Sequence, residues 1–177
     1  ISNYFSTVAG GRQNTISGGY STIGGGKSNT VSASYGFLGG GCNNIVSGIY
    51  ATISGGKGNT ASAICTTIGG GGNNVASVQF GTIAGGVGNI ACANNAVIGG
   101  GSSNVVSGAQ GVISGGVQNR ATSTYSTVSG GYSNCASGGF STLSGGYNQT
   151  VSGYMATISG GRINDNFAPY GTISGGC

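Results

Sequence analysis

The sequence contains no histidine and only one carboxylate side chain, that of Asp165. General acid–base pairs, a Ser-His-Asp relay and a carboxylate dyad each require histidine or a second carboxylate, so the chain cannot assemble them from its own residues. Calcium-binding β-roll repeats need recurrent aspartates, which are missing as well. We therefore expect a protein that is not an enzyme and that holds no metal ion and no cofactor.

Charge of either sign is scarce, because five Lys or Arg and one Asp leave a net charge of +4 on 177 residues. Binding to nucleic acid depends on clustered cations, so this thin distribution predicts no nucleic-acid partner. Long apolar runs are absent too, and none approaches the roughly 18 residues of a membrane span, so we expect no membrane insertion of this segment. Four cations share one phase of the repeat described below, where we interpret them as solvated turn residues: Arg12, Lys27, Lys57 and Arg162.

Proline occurs once, at Pro169, whereas glycine supplies 42 residues. Glycine pairs recur at a constant step of fifteen residues, from Gly10-Gly11 and Gly25-Gly26 to Gly175-Gly176. Collagen would show a period of three with abundant proline, so the collagen fold is excluded. The constant step indicates a tandem repeat in which each unit contacts only its neighbours.

Each repeat has one aliphatic residue two positions before its glycine pair. Alternation with a period of two and β-branched apolar residues fit two short strands per repeat better than a helix. In one repeat, we expect Ser21 and Ile23 of the first strand and Val31 and Ala33 of the second strand to point inward, with Tyr20 pointing outward. The aliphatic residues are Val8, Ile23, Leu38, Ile53, Ile68, Ile83, Ile98, Ile113, Val128, Leu143, Ile158 and Ile173.

Glycine and asparagine recur at the predicted turns. Glycine pairs permit the positive φ that a tight turn requires, and asparagine tolerates the left-handed conformation. An asparagine follows three residues after the pairs from Asn14 to Asn164, with Gln149 as the one departure. We expect these amides to satisfy buried backbone groups along the stack of repeats.

One repeat buries too little apolar surface to offset the entropy of fifteen ordered residues, so the repeats must stack. The sequence therefore predicts an all-β fold, a β-solenoid of nearly twelve 15-residue coils with two short strands per coil. At about 4.8 Å per coil the rod would be roughly 55 Å long. We expect one array over residues 1–177, a segment of a longer chain, with a divergent coil at 162–171. Pro169 and Phe167 in that coil indicate either an end cap or docking point, or a local bulge.

The segment Tyr125-Ser126-Thr127-Val128-Ser129-Gly130-Gly131-Tyr132-Ser133-Asn134-Cys135-Ala136-Ser137-Gly138 shows the repeat in a typical form. It resembles the head repeats of YadA-like trimeric autotransporter adhesins, which form left-handed β-rolls. It is also similar to repeats in predicted surface or fibre proteins of bacteria and large DNA viruses. The resemblance implies a β-roll with an adhesive or structural role at a surface.

Two outward columns follow from the alternation, and together they form an almost uncharged stripe. Strand propensity and stacking between coils account for such columns, and so does an association face, since continuous apolar stripes mark contact surfaces. The threonine column comprises Thr7, Thr22, Thr52, Thr67, Thr82, Thr127, Thr142, Thr157 and Thr172. The aromatic column comprises Phe5, Tyr20, Tyr35, Tyr50, Phe80, Tyr125, Phe140 and Tyr170.

The five cysteines form no metal-ligand spacing, and no two of them fall at bridging distance in adjacent coils. Two interpretations stay open: the thiols are small fillers, or they form disulfides between chains. These residues are Cys42, Cys65, Cys92, Cys135 and Cys177.

The sequence thus predicts a structural rod whose partner is itself, as a trimer, another homo-oligomer or a filament bundle. We expect a surface fibre, adhesin-like spike or virion component at an extracellular or virion surface. A host-surface receptor or a glycan bound by the tyrosines is a further candidate partner. The alternative function is ice binding by the threonine column, which would place its hydroxyl groups one coil apart.

Overall fold

The computed structural model describes residues 5–177, and within them the chain is an all-β solenoid with two parallel sheets. Each coil contributes one strand of two residues to each sheet. The first sheet has twelve strands and the second has eleven. Across these described residues there is no helix long and apolar enough to cross a membrane.

The strands alternate between the two sheets along the chain. The first sheet contains β1 (Thr7–Val8), β3 (Thr22–Ile23), β5 (Phe37–Leu38), β7 (Thr52–Ile53), β9 (Thr67–Ile68), β11 (Thr82–Ile83), β13 (Val97–Ile98), β15 (Val112–Ile113), β17 (Thr127–Val128), β19 (Thr142–Leu143), β21 (Thr157–Ile158) and β23 (Thr172–Ile173). The second contains β2 (Thr15–Ile16), β4 (Thr30–Val31), β6 (Ile45–Val46), β8 (Thr60–Ala61), β10 (Val75–Ala76), β12 (Ile90–Ala91), β14 (Val105–Val106), β16 (Arg120–Ala121), β18 (Cys135–Ala136), β20 (Thr150–Val151) and β22 (Asp165–Asn166).

The core is a file of aliphatic side chains that lie over one another, as the repeat predicts. Ile53 pairs with Ile68 and Ile68 pairs with Ile83, each in parallel register, and all three side chains are fully buried. The backbone joins successive coils, since the N–H of Thr67 donates to the carbonyl of Gly81 at 2.9 Å. Parallel strands with neighbours on both sides favour such β-branched residues.

Two turns complete each coil and lie at its opposite edges, because the two strands of a coil face one another across the core. In one coil, turn 1 covers residues 24–29, between β3 and β4, and turn 2 covers residues 32–36, between β4 and β5. Turn 1 has positive φ at the second glycine of the pair, 91° at Gly26, and again at Ser28, 55°. The glycine prediction is confirmed for the second member of the pair.

The recurrent asparagines form a continuous hydrogen-bonded ladder inside turn 1. Asn74 donates through Nδ2 to the carbonyls of Gly70 at 3.0 Å and Gly86 at 2.9 Å, and its Oδ1 accepts the N–H of Asn89 at 2.9 Å. These amides are fully buried in the middle of the array, as predicted. The left-handed residue, however, is the one before the asparagine, such as Asn73 with φ 53°, so that part of the prediction was wrong.

The strands are shorter than the alternation predicts, so fewer of the residues that we expected to point inward lie on a strand. Ser21 and Val31 are buried, but Ala33 is only half-buried because it already lies in turn 2. Where glycine takes that phase, as at Gly48, the position is buried against the backbone of the next coil. A Cβ at Gly48 would overlap the carbonyl oxygen of Ala63. The backbone therefore closes more tightly there than a side chain allows.

The divergent coil keeps the register of the array. Thr150 pairs with Asp165 and Val151 pairs with Asn166, so no extra residue enters the ladder and the bulge interpretation was wrong. Asn166 replaces the aliphatic core residue and donates through Nδ2 to the carbonyl of Thr157 at 3.1 Å. One of the two core positions of this coil is thus polar, while Ile158 keeps the other aliphatic.

One buried hydroxyl group allows a test of the core. Ser141 Oγ has no hydrogen-bond partner, whereas Ser126, at the same phase one coil earlier, donates its hydroxyl to the carbonyl of Ser123 at 2.6 Å. Because a buried unpaired hydroxyl is costly, Ser141→Ala should raise the free energy of unfolding by about 1 kcal/mol. Ser126→Ala should lower it by about 1 kcal/mol, and urea unfolding followed by circular dichroism measures both. Equal shifts of the same sign in both variants would contradict this assignment.

Candidate association surface

The aromatic column lies at the turn 2 edge of the solenoid, not on the first sheet as the alternation predicted. Tyr20 precedes the two-residue strand Thr22–Ile23 and has φ 57°, and Tyr35 and Tyr50 have φ 59° and 58°. The left-handed backbone reverses the chain there, so the side chains project from the edge rather than from a sheet face. The predicted surface therefore lies at the turn 2 edge instead of on the first sheet, and its residues still follow one another from coil to coil.

A signal for this conformation was present in the sequence. β-branched residues are strained at positive φ, and no residue of this phase is β-branched. Its non-aromatic members are Cys65, Asn95, Gln110 and Met155, with φ between 53° and 58°.

The aromatic rings stack from coil to coil at this edge. The ring centroids of Tyr20 and Tyr35 are 5.1 Å apart and those of Tyr35 and Tyr50 are 4.8 Å apart. Phe5 extends the stack, with its centroid 5.3 Å from that of Tyr20. Tyr50 remains 57% exposed, so stacking leaves much of each ring in contact with solvent.

The surface divides into two blocks separated by polar coils. Phe5, Tyr20, Tyr35 and Tyr50 form the first block, and Phe80 stands alone beyond Cys65. The second block comprises Tyr125, Phe140 and Tyr170, which are joined through Tyr154.

The sequence interpretation missed the side chains one position earlier in turn 2. Tyr154 packs edge-on against Phe140 and Tyr170, with ring centroids 5.8 and 6.0 Å apart. Ile49 and Ile64 occupy the same phase and are exposed beside Tyr50 and Cys65. The other residues of this phase are of eight types, Tyr, Gly, Ser, Gln, Asn, Ala, Thr and Pro, so no periodic signal marks it. These residues widen the apolar edge.

The threonine column lies on the outer face of the first sheet, in register from coil to coil. Thr52 pairs with Thr67, and Thr67 pairs with Thr82. Phe37, Val97 and Val112 interrupt the column. The second outward phase of this sheet holds small residues, such as Ser54 and Gly69, so there is no second rank of threonine hydroxyls.

The cysteines, which all lie among the described residues, are free and distributed over several surfaces. Cys65 lies in the aromatic column and Cys42 lies at the opposite edge, in turn 1. Cys135 belongs to β18 on the second sheet, where it pairs with Arg120. Bonds between chains therefore stay a prediction, and Cys65 is the thiol best placed to report on contacts at the aromatic edge.

The turn 1 edge carries four of the five cations, the exception being Arg120 in β16. The residue after each glycine pair forms a continuous series of parallel bridges, which includes Arg12 to Lys27 and Lys57 through Cys42. Further along the same series, the rings of Tyr132 and Tyr147 stack with centroids 5.4 Å apart, and the guanidinium of Arg162 lies 5.5 Å from the centroid of Tyr147. The two edges thus differ in chemistry: cations dominate the early coils of one, and aromatic rings dominate the early coils of the other.

No catalytic constellation can be recognised within residues 5–177. In this part of the chain no three His, Cys, Asp or Glu side chains come together as a ligand set for a metal ion. The chain matches no protein-family model and no curated protein sequence.

Proposed function

We propose that this chain is a non-enzymatic structural rod that self-associates laterally into a surface fibre, spike, filament or virion component. The observation that carries the proposal is the aromatic column at the turn 2 edge. Stacked rings that remain about half exposed form two apolar blocks along this edge, and such surfaces gain free energy when a second surface excludes water from them.

The low charge of the rod favours the same function. The chain has one carboxylate side chain, and the aromatic column itself contains no ionisable group apart from tyrosine hydroxyls and Cys65. Self-association therefore brings few like charges together, whereas a highly charged rod would repel its copies. An extracellular or virion surface is the proposed location, because a fibre of this kind acts outside the compartment that makes it.

A double substitution tests whether the aromatic column is the association surface. Tyr35→Asp together with Tyr50→Asp should abolish association, because two carboxylates would have to be buried between copies. The coil should stay folded, since Asp tolerates positive φ and Asn95 already occupies this phase. Sedimentation velocity over a concentration series measures the association, and circular dichroism measures the fold.

Tyr132→Asp together with Tyr147→Asp is the matched control, because it removes an exposed stacked pair at the opposite edge. The control should associate like the unmodified chain. Equal loss in both variants would mean that added charge alone disperses the rods. A chain that remains a monomer at all concentrations would contradict the proposal, and thermal hysteresis in that monomer would favour the alternative of ice binding.

A further inference from the structure

The early coils hold an uninterrupted ladder of turn residues with three cations. Arg12 bridges to Lys27, Lys27 to Cys42 and Cys42 to Lys57, all in parallel register at the turn 1 edge. The three cationic residues are exposed. Because successive coils rise by about 4.8 Å, the three positive charges line up along roughly 14 Å of the rod. We name this feature the cation column.

The chain offers no negative charge to balance the cation column. Its one carboxylate side chain, that of Asp165, lies about seven coils beyond Lys57, or roughly 34 Å along the rod. Screening at physiological ionic strength reduces interactions beyond about 8 Å, so Asp165 cannot compensate these charges. The early coils therefore present an uncompensated positive edge.

The fold does not need these cations. Gly72, Val87, Ser102 and Val117 occupy the same phase in later coils and continue the same series of bridges. Like charges on directly paired positions of adjacent strands are destabilising, so Arg12 beside Lys27 costs stability in the isolated chain. A polyanion bound along this edge would reverse that cost.

A second copy of the chain is a poor partner for the cation column, since it has one carboxylate to offer. Single-stranded nucleic acid is disfavoured as well, because base stacking needs aromatic rings beside the cations, and the first aromatic block lies at the opposite edge. The neighbouring exposed residues of turn 1 include Gln13 and Asn43, whose amides can donate to and accept from sugar hydroxyls.

We propose that the cation column of Arg12, Lys27 and Lys57 binds a linear anionic polysaccharide that runs along the rod axis. Sulfate or carboxylate groups of the polymer meet the three cations, and the amide side chains of turn 1 contact its hydroxyl groups. This surface is independent of the aromatic column, because the two lie at opposite edges. Polysaccharide binding along the cation column therefore does not depend on self-association.

Binding of a heparin-derived sulfated oligosaccharide to the full chain tests this proposal by titration calorimetry at several salt concentrations. Lys27→Ser with Lys57→Ser should raise Kd at least tenfold. The slope of log Kd against log salt concentration should fall by about two, since each cation contact releases counterions. Ser102 shows that serine fits this phase, so the fold should be retained.

Arg120→Thr with Arg162→Ser is the control, because it removes the same net charge away from the cation column and should change Kd less than twofold. If both double variants weakened oligosaccharide binding equally, net charge alone would explain the effect, and the proposal would be overturned. It would also be overturned if the chain bound no sulfated oligosaccharide, if a neutral oligosaccharide of equal length bound equally well, or if single-stranded DNA of equal charge bound more tightly.

Discussion

Gly86→Ala is expected to disrupt the solenoid more than any other single exchange considered for this chain. Gly86 has φ 90°, and an added Cβ would overlap the carbonyl oxygen of Gly101 in the next coil. The left-handed backbone costs about 1–2 kcal/mol for alanine, and forced displacement of a packed neighbour costs about 1–3 kcal/mol more. We expect a loss of about 4 kcal/mol in the free energy of unfolding once the displaced ladder hydrogen bond is included. Urea unfolding measures it.

Gly85→Ala is the matched control, because it alters the other member of the same glycine pair. A Cβ at Gly85 meets no atom within 4 Å, and its φ is not positive. The free energy of unfolding of this variant should therefore lie within about 0.5 kcal/mol of that of the unmodified chain. Nothing in the structure explains why glycine recurs at this first position. A large loss at Gly85, or a small one at Gly86, would contradict the assignment of the tight turn.

Asn74→Ala is expected to have the second-largest effect, because it interrupts the asparagine ladder. The exchange removes hydrogen bonds to two glycine carbonyls and leaves the buried N–H of Asn89 without its acceptor. Each buried group that loses its partner costs about 1–3 kcal/mol. The carbonyl of Gly86 is not left unpaired, because it still accepts the N–H of Gly72. We expect a loss of about 3 kcal/mol in the free energy of unfolding, measured in the same denaturation series.

Asn73 supplies the control for this experiment, since it is the neighbouring residue but is exposed in turn 1 with φ 53°. Glycine occupies its phase at Gly58 and Gly88, both with positive φ. Asn73→Gly should therefore change stability by less than about 0.5 kcal/mol. If Asn73→Gly destabilised the chain as much as Asn74→Ala, the ladder would have no special role and general loss of asparagine would explain both results.

The coil and its core could be predicted because they follow from side-chain periodicity. Ile53, Ile68 and Ile83 repeat at a constant step, and only stacking in register buries all of them. Gln149 illustrates how robust the pattern is. Its side-chain Nε2 donates to the carbonyl of Gly145 and its Oε1 accepts from Nδ2 of Asn164, so hydrogen bonding continues through the exception.

The turns could not be assigned with the same certainty, because alternation says nothing about where an extended backbone becomes left-handed. The alternation predicts Tyr20 on a strand, whereas with φ 57° this tyrosine belongs to turn 2. The absence of β-branched residues from its phase carries that information, but strand propensity for tyrosine points the other way. Tyr154 was missed because it belongs to a phase without a repeated residue type.

Function follows less directly from the sequence than fold does, since the fold of a solenoid leaves its surfaces free to vary. The aromatic and cation columns share one scaffold and differ only in the side chains at two edges. Cys65 lies at the turn 2 edge and Cys42 lies at the turn 1 edge, so each edge carries a thiol. The molecule thus carries its own pair of attachment points for labels.

The most direct test of self-association through the aromatic column is double electron–electron resonance between spin labels on different copies. Two single-cysteine variants of the full chain would be compared, one keeping Cys65 and the other keeping Cys42, with the remaining cysteines changed to serine. We expect a short, narrow distance distribution between copies for the label at Cys65 and a longer one for the label at Cys42. The reverse order, or no dipolar coupling between copies at either position, would contradict the account.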